Sequence, residues 1–270
     1  MELDVRSEVR SRLRGAFARS REERRPGLVT YVTAGDPDLP RTAGILRALD
    51  RAGADVIEVG VPFSDPLADG PVIQRATERA LAAGTTLQGV LDLVRTVRPE
   101  LKAGVVIFSY ANPILRLGAE RFADLARQAG VDGVLVLDLP IEEADDFRNL
   151  LASRGIDTIL LLSPTTTDAR LRKAAALGSG FLYAISRLGV TGVREQLAEG
   201  AEEMVARIRA VSDLPVALGF GISKPAHVRT VGQWADAAVV GSALVNVIAE
   251  AGAHGDVDTR VEEYVRWLKS

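Results

Sequence analysis

Eight short runs of apolar, largely β-branched residues recur along this chain, and each is nearly continuous rather than alternating. They are LVTYVT (28–33), DVIEVG (55–60), GVVIFS (104–109), GVLVLD (133–138), TILLLS (158–163), FLYAIS (181–186), PVALGF (215–220) and AAVVG (237–241). A strand covered on both faces reads this way, whereas a strand with one wet face alternates. Helical patterns lie between the runs. Ile45, Leu46, Leu49 and Ala52 share one face, as do Met204, Val205, Ile208 and Val211, and Val257, Val261, Tyr264, Val265 and Leu268 form one stripe near the end. Gly53, Gly130 and Gly178 follow the last apolar residue of a helical segment, where a helix stop belongs. Eight strand–helix units predict an α/β fold of the (β/α)8 TIM-barrel type. An open doubly wound sheet is the other arrangement of such units. Eight of them without a break in composition favour closure, as one domain over 1–270.

Composition removes several functions. With 270 residues and 47% hydrophobic side chains the chain can bury a large core. Its net charge is −3 and no basic tract with interleaved aromatics occurs, which argues against nucleic acid. There is no cysteine, hence no disulfide or thiolate metal site. The two histidines, His227 and His254, have no metal-ligand spacing. No apolar run approaches the length of a membrane span. The arginine-rich start contains Glu2, Asp4, Glu8, Glu22 and Glu23, unlike a transit peptide, and lacks an apolar signal core. Val5, Val9, Leu13 and Phe17 recur every four residues there and predict an amphipathic helix packed on the fold. The default location is the cytoplasm.

Strand spacing points to one end of the barrel. Most strand centres lie roughly 22–28 residues apart, but strands 2 and 3 are separated by about 50 and strands 6 and 7 by about 33. The first excess holds VPFSDPLADGP and an extra helix; the second holds RLGVTGVREQLAEG. Both follow strand C-terminal ends, the face where barrel active sites are built. Gly219-Phe220-Gly221-Ile222-Ser223 follows strand 7, and Gly241-Ser242 opens a short helix after strand 8. Free N–H groups at a helix start favour an anion, and barrels commonly bind phosphate at these two loops. A lone GFG would mean only a tight turn, and it fails as a dinucleotide fingerprint because residue 224 is Lys. Two glycine turns on adjacent final strands favour phosphate, and Gly192 in the strand-6 loop stands where it could close over it.

The unusual feature is a carboxylate inside a core strand. Glu58 sits mid-run in DVIEVG; if Ile57 and Val59 face the helices, Glu58 faces the barrel interior near its top, with Val56 one layer below. Buried glutamates without a charge partner are uncommon, and desolvation raises their pKa into the range useful for acid–base work. The bland reading is a glutamate satisfied by a neighbouring hydroxyl or amide. Asp69 lies on the stiff loop after the same strand, between Pro66 and Pro71. A loop aspartate is most often a turn former; beside Glu58 it becomes a second carboxyl that can hold a different protonation state. Asp138, Ser163, Ser186 and Arg187 end other strands, and Tyr110 and Asn112 follow strand 3. Asp138 either caps the next turn or faces the site; Arg187 either binds an anion or anchors a lid. Tyr31 and Tyr183 read as core or pocket wall. The four lysines, Lys102, Lys173, Lys224 and Lys269, all lie outside the strands, so Schiff-base chemistry is disfavoured. Proton transfer by carboxyls on a phosphorylated substrate remains.

EVGVPFSDPLADGPVIQ (58–74), YVTAGDPD (31–38), SYANPI (109–114), SRLGVTG (186–192), GFGIS (219–223) and VVGSALV (239–245) resemble the tryptophan synthase α-subunit family, over about residue 28 to the C-terminus. The resemblance implies a lyase of tryptophan biosynthesis that cleaves indole-3-glycerol phosphate, by a retro-aldol step, to indole and glyceraldehyde 3-phosphate. It implies that Glu58 carries the proton transfers, that Asp69 binds the indole N–H, and that Tyr183 assists. Tyr31 and Tyr110 would line the indole pocket, and Gly192, Gly221, Gly241 and Ser242 would hold the phosphate. Thr191 would meet Asp69 on lid closure. It further implies an α2β2 complex with a β subunit that alone holds pyridoxal phosphate, met near Asp65 and Pro66. A stand-alone lyase releasing free indole is the alternative, and a non-catalytic activator of the partner is a third reading that the intact carboxyl pair argues against.

Overall fold

The computed structural model describes residues 11–185, 200–219, 221–252 and 255–270. The chain opens with α1 (Arg12–Glu22), then β1 (Gly27–Thr33), α2 (Leu39–Ala52) and β2 (Val56–Gly60). Two helices follow, α3 (Pro71–Ala82) and α4 (Leu87–Val97), before β3 (Gly104–Ser109), and two more, α5 (Ala111–Leu117) and α6 (Ala119–Gln128), before β4 (Gly133–Val136). Next come α7 (Asp145–Ser153), β5 (Asp157–Leu162), α8 (Asp168–Leu177), β6 (Leu182–Ile185) and α9 (Ala201–Arg209). The last units are β7 (Val216–Gly219), α10 (Pro225–Val231), β8 (Ala237–Val240), α11 (Ser242–Gly252) and α12 (Val257–Leu268). The strands pair in chain order and β8 returns to β1, giving a closed parallel barrel. Closure leaves no sheet edge exposed.

Alternation along the strands sorts the apolar residues into two cores. Ile57, Val59, Val105 and Ile107 pack outward against the helices. Val29, Val56, Val106, Leu135 and Ala237 fill the interior. The extra chain between β2 and β3 folds as expected into the loop and an added helix, α4. After β8, α11 extends over eleven residues because Leu244, Val245, Ile248 and Ala251 continue one buried face.

Helix α1 closes the bottom of the barrel. Ser11 caps it by accepting the Arg14 N–H at 3.2 Å, and its hydroxyl reaches the Asp157 carboxylate. Leu13, Ala16 and Phe17 join the interior core. The Leu13 methyls lie so close to the first residues of β3 and β4 that a Cβ at Gly104 or Gly133 would come within 2.5 or 2.8 Å of them. Those strands therefore begin with glycine. Phe17 packs on Phe181 with centroids 5.2 Å apart. Leu13 and Phe17 carry the predicted four-residue period; Val5 and Val9 lie outside the described residues.

Two of the three expected helix stops are left-handed, Gly53 (φ 89) and Gly130 (φ 73). Gly178 is different: its backbone is extended (φ −69, ψ 156), and Gly180 supplies the positive φ instead. Glycine at 178 answers to sterics, since a Cβ there would stand 2.9 Å from the Ala174 carbonyl oxygen.

Candidate active site

The upper rim, where the strands end, gathers polar residues above the apolar interior. Glu58 pairs in register with Tyr31 of β1 and Val106 of β3 and is wholly buried. Its side chain points inward, above Val56, as the alternation of β2 requires. Neither carboxyl oxygen has a hydrogen-bond partner among the described residues. The reading of a glutamate satisfied by a neighbouring hydroxyl or amide is therefore set aside. Burial pushes its pKa up to about 8, because the charged form loses hydration and gains nothing in return.

Asp69 stands in a different environment. The loop after β2 turns through Pro66, with the Asp69 N–H donating to the Pro66 carbonyl at 3.0 Å. Gln74, in the first turn of α3, donates to the Asp69 carbonyl at 2.8 Å. The carboxyl is buried, and its Oδ2 accepts the Tyr110 hydroxyl at 3.0 Å. Burial raises its pKa to about 6, with the Tyr110 hydrogen bond pulling the other way. The two acids thus differ: burial raises Glu58 further than Asp69, whose charged form the Tyr110 hydroxyl favours.

The tyrosines are seated by glycines of the neighbouring strands. Tyr31 lies across β2, where a Cβ at Gly60 would stand 2.3 Å from its hydroxyl. Tyr183 lies across β7, where a Cβ at Gly219 would stand 2.6 Å from its hydroxyl. Burial raises both phenols well above the usual range; the Asp69 charge and then the Glu58 charge add to the rise at Tyr31, and the Glu58 charge adds to that at Tyr183, so both rings lie within electrostatic reach of Glu58. Phe108 meets Tyr31 edge-on at 5.1 Å, and Ile73 and Val245 complete the apolar wall. Sequence reasoning missed Phe108 and Gly60, and it read Gly219 only as part of a glycine turn, not as the seat of Tyr183. Phe108 is the even-numbered partner of Val106 and carried a signal in its alternation. The two glycines carried one only for a reader who already knew the register.

Beside this wall the chain turns into α11. Gly241 directly precedes the helix and Ser242 is its buried first residue. A Cβ added at Gly241 would meet the Tyr31 Cβ at 3.7 Å, an ordinary contact, so the helix start lies against Tyr31. Gly221 is left-handed (φ 78) in the loop after β7, the strand adjacent to β8. The Ser223 N–H donates to His227 Nδ1 at 3.3 Å, fixing that loop. Tyr31 spans the distance between the two ends of the site, with Gly241 at its Cβ and Gly60 under its hydroxyl. Asp138 caps the start of α5, accepting the Ala111 N–H at 2.7 Å. Thr191 and Gly192, with Ser186 and Arg187, lie outside the described residues. No cluster of three or more potential metal ligands occurs among the described residues, and none of their helices is long and apolar enough to cross a membrane.

Two carboxyls of unequal acidity at the rim of a parallel barrel, with a helix start nearby, fit the class of acid–base barrel enzymes. Comparison with known proteins narrows the class. The family described as tryptophan synthase alpha chain matches residues 17–270. The tryptophan synthase alpha chain of Geobacter sulfurreducens is 50% identical over 237 residues, 88% of this chain and 90% of the relative. The structure of Mycobacterium tuberculosis tryptophan synthase superposes with a TM-score of 0.89 at 37% identity, covering 96% of this chain and 97% of that one. A Pyrococcus furiosus structure, described as showing mutual activation in the tryptophan synthase α2β2 complex, gives 0.85 at 39% identity, over 90% and 98% of the two chains. The chain belongs to the tryptophan synthase alpha chain family.

Proposed function

We propose that this chain cleaves indole-3-glycerol phosphate with Glu58 as the proton carrier and Asp69 as the fixed negative charge. As a family member it is a carbon–carbon lyase of tryptophan biosynthesis. The protonated Glu58 delivers its proton to C3 of the indole ring, leaving positive charge on the ring. Asp69, ionised, accepts the indole N–H and stabilises that charge. The Glu58 carboxylate then takes the proton from the side-chain hydroxyl as the C–C bond breaks. The bond electrons return to the ring, and indole and glyceraldehyde 3-phosphate form. One group both gives and receives the proton, so a pKa near neutrality suits both halves. Tyr183 flanks Glu58 and assists it, and Tyr31, Phe108 and Tyr110 wall the indole pocket. Gly221, Gly241 and Ser242 hold the phosphate through backbone amides and the dipole of α11.

The observation that carries this reading is the buried carboxyl of Glu58, without a hydrogen-bond partner among the described residues. Glu58→Gln should lower kcat for indole release by about 10³-fold, the scale of a lost acid–base group, while a glycerol phosphate analogue still binds. Retained indole production would end the proposal. A β subunit is the expected partner, in an α2β2 complex, and pyridoxal phosphate belongs to it. Leu67 is 88% exposed on the loop that also carries Asp65 and Pro66, an apolar tip suited to a protein partner. The site of action is the cytoplasm.

A further inference from the structure

The hydroxyl of Tyr110 is bonded on both sides. It donates to Asp69 Oδ2 at 3.0 Å and accepts the Ala68 N–H at 3.0 Å. A backbone amide can only donate, so the single phenolic proton is left for Asp69. The direction of the bond is thereby set by the chain itself. Residue 110 is also held from behind. Ser109 donates to the Tyr110 carbonyl at 2.9 Å, Asp138 holds the Ala111 N–H, and the Phe63 ring packs on the Tyr110 ring at 5.1 Å. The phenol therefore ties the end of β3 to a loop that leaves β2, and it grips that loop at two successive residues. A pocket wall needs the ring alone; nothing in wall-building calls for two hydroxyl bonds to one loop.

We propose that Tyr110 is a positioning residue for the lyase reaction: its hydroxyl aims the Asp69 carboxylate at the indole nitrogen and keeps that carboxylate ionised. This rests on the function proposed for Asp69. A hydrogen bond donated to a charged acceptor favours the charged form, and it is stronger than a neutral one. Burial works against Asp69 ionisation, and Tyr110 opposes it. Among the described residues, the titratable groups around this pair are Tyr31 from β1, Glu58 from β2 through Tyr31, and Asp138 from beyond β4 through Tyr110.

Tyr110→Phe keeps the ring and removes the two bonds. Assayed on the full chain with its β partner, it should lower kcat about tenfold, the size of a charge-assisted hydrogen bond, with KM changed less than about twofold. The acid limb of the kcat profile should move up by roughly one pH unit. In an Asp69→Asn background the same substitution should change kcat by less than about twofold, since the two groups then no longer act as a pair. An unmoved acid limb, a rise in KM alone, or an equal loss in the Asp69→Asn background would each reduce Tyr110 to pocket wall. If Tyr110→Phe fails to fold, a fluorinated tyrosine at 110, a stronger donor, should move the acid limb down; an unmoved limb overturns the proposal. Carbon NMR of the Asp69 carboxyl reads the same coupling without turnover. The proposal for Tyr110 is thus separable from that for the reaction.

Discussion

The two ends of the barrel are built from the same strands to opposite specifications. At the bottom, Leu13 and Phe17 of α1 fill the interior, and the charges beside them are matched. Arg21 meets Asp236 at 3.0 Å, and Arg25 grips Asp55 with two bonds of 2.7 and 2.8 Å. At the top, a carboxyl is buried without a hydrogen-bond partner among the described residues, and the hydroxyl ends of two tyrosines lie over glycines of the neighbouring strands. One end pairs its charges; the other leaves the carboxyl proposed as the proton carrier without a hydrogen-bond partner among the described residues. Stability and reactivity are separated along the barrel axis, about one strand length apart. Substitution at one end should therefore leave the property of the other end nearly untouched.

The largest test of that separation uses Glu58, for which loss of activity should come with a gain in stability. Its folded pKa of about 8 lies above the usual glutamate value, so the folded chain binds the extra proton. The stability it allows is complete below pH about 4.5 and is lost as pH rises toward about 8, at up to ~1.4 kcal/mol per unit. Asp69 adds a slope of the same sign below about pH 6. Glu58→Gln should flatten the fall in melting temperature between pH 6 and 8. A slope as steep as the parent's would mean that the carboxyl is hydrated in solution. At the other end, Leu13→Ala should cost about 2–5 kcal/mol in urea unfolding. Its kcat, measured well below the melting temperature, should stay within about twofold of the parent. A large fall in kcat would show that the plug and the rim are coupled.

What the sequence discloses follows the same division. The eight strands are legible because each is covered twice, and an unbroken apolar run of that length fits few structures besides a doubly covered strand. The inward aim of Glu58 follows from alternation within five residues of β2. Leu13 and Phe17 announce a buried face by their period, but nothing local says that the face stoppers the barrel. What stays hidden depends on register between strands. Gly60 and Gly219 matter because Tyr31 and Tyr183 cross onto the next strand, and no local pattern reports which glycine faces which ring. Asp138 lies after β4 yet caps α5, whose start the neighbouring strand delivers. Tyr110 and Asp69 are 41 residues apart and meet only because β2 and β3 are adjacent. Propensity and period are properties of a segment; a site is a property of its neighbours.

The smallest expected effect falls at the anion end, and it separates a steric role from a binding one. Glycine at 241 is not demanded by the fold: its φ is not left-handed, and an added Cβ would meet only ordinary contacts at 3.7 Å. The proposed phosphate site gives it a reason. Gly241→Ala should therefore leave the melting temperature within about 2 °C, the effect of a few tenths of a kcal/mol. The methyl would stand beside Tyr31, in front of the first amides of α11, where a phosphate needs close approach to the backbone. KM should rise about tenfold and the affinity for glycerol 3-phosphate should fall with it, while kcat at saturation changes less than about twofold, because Glu58 and Asp69 are left in place. An unchanged KM would move the phosphate away from α11. A lost kcat with KM intact would mean instead that the methyl acts through Tyr31 on Glu58, and the two ends of the substrate would then share one wall.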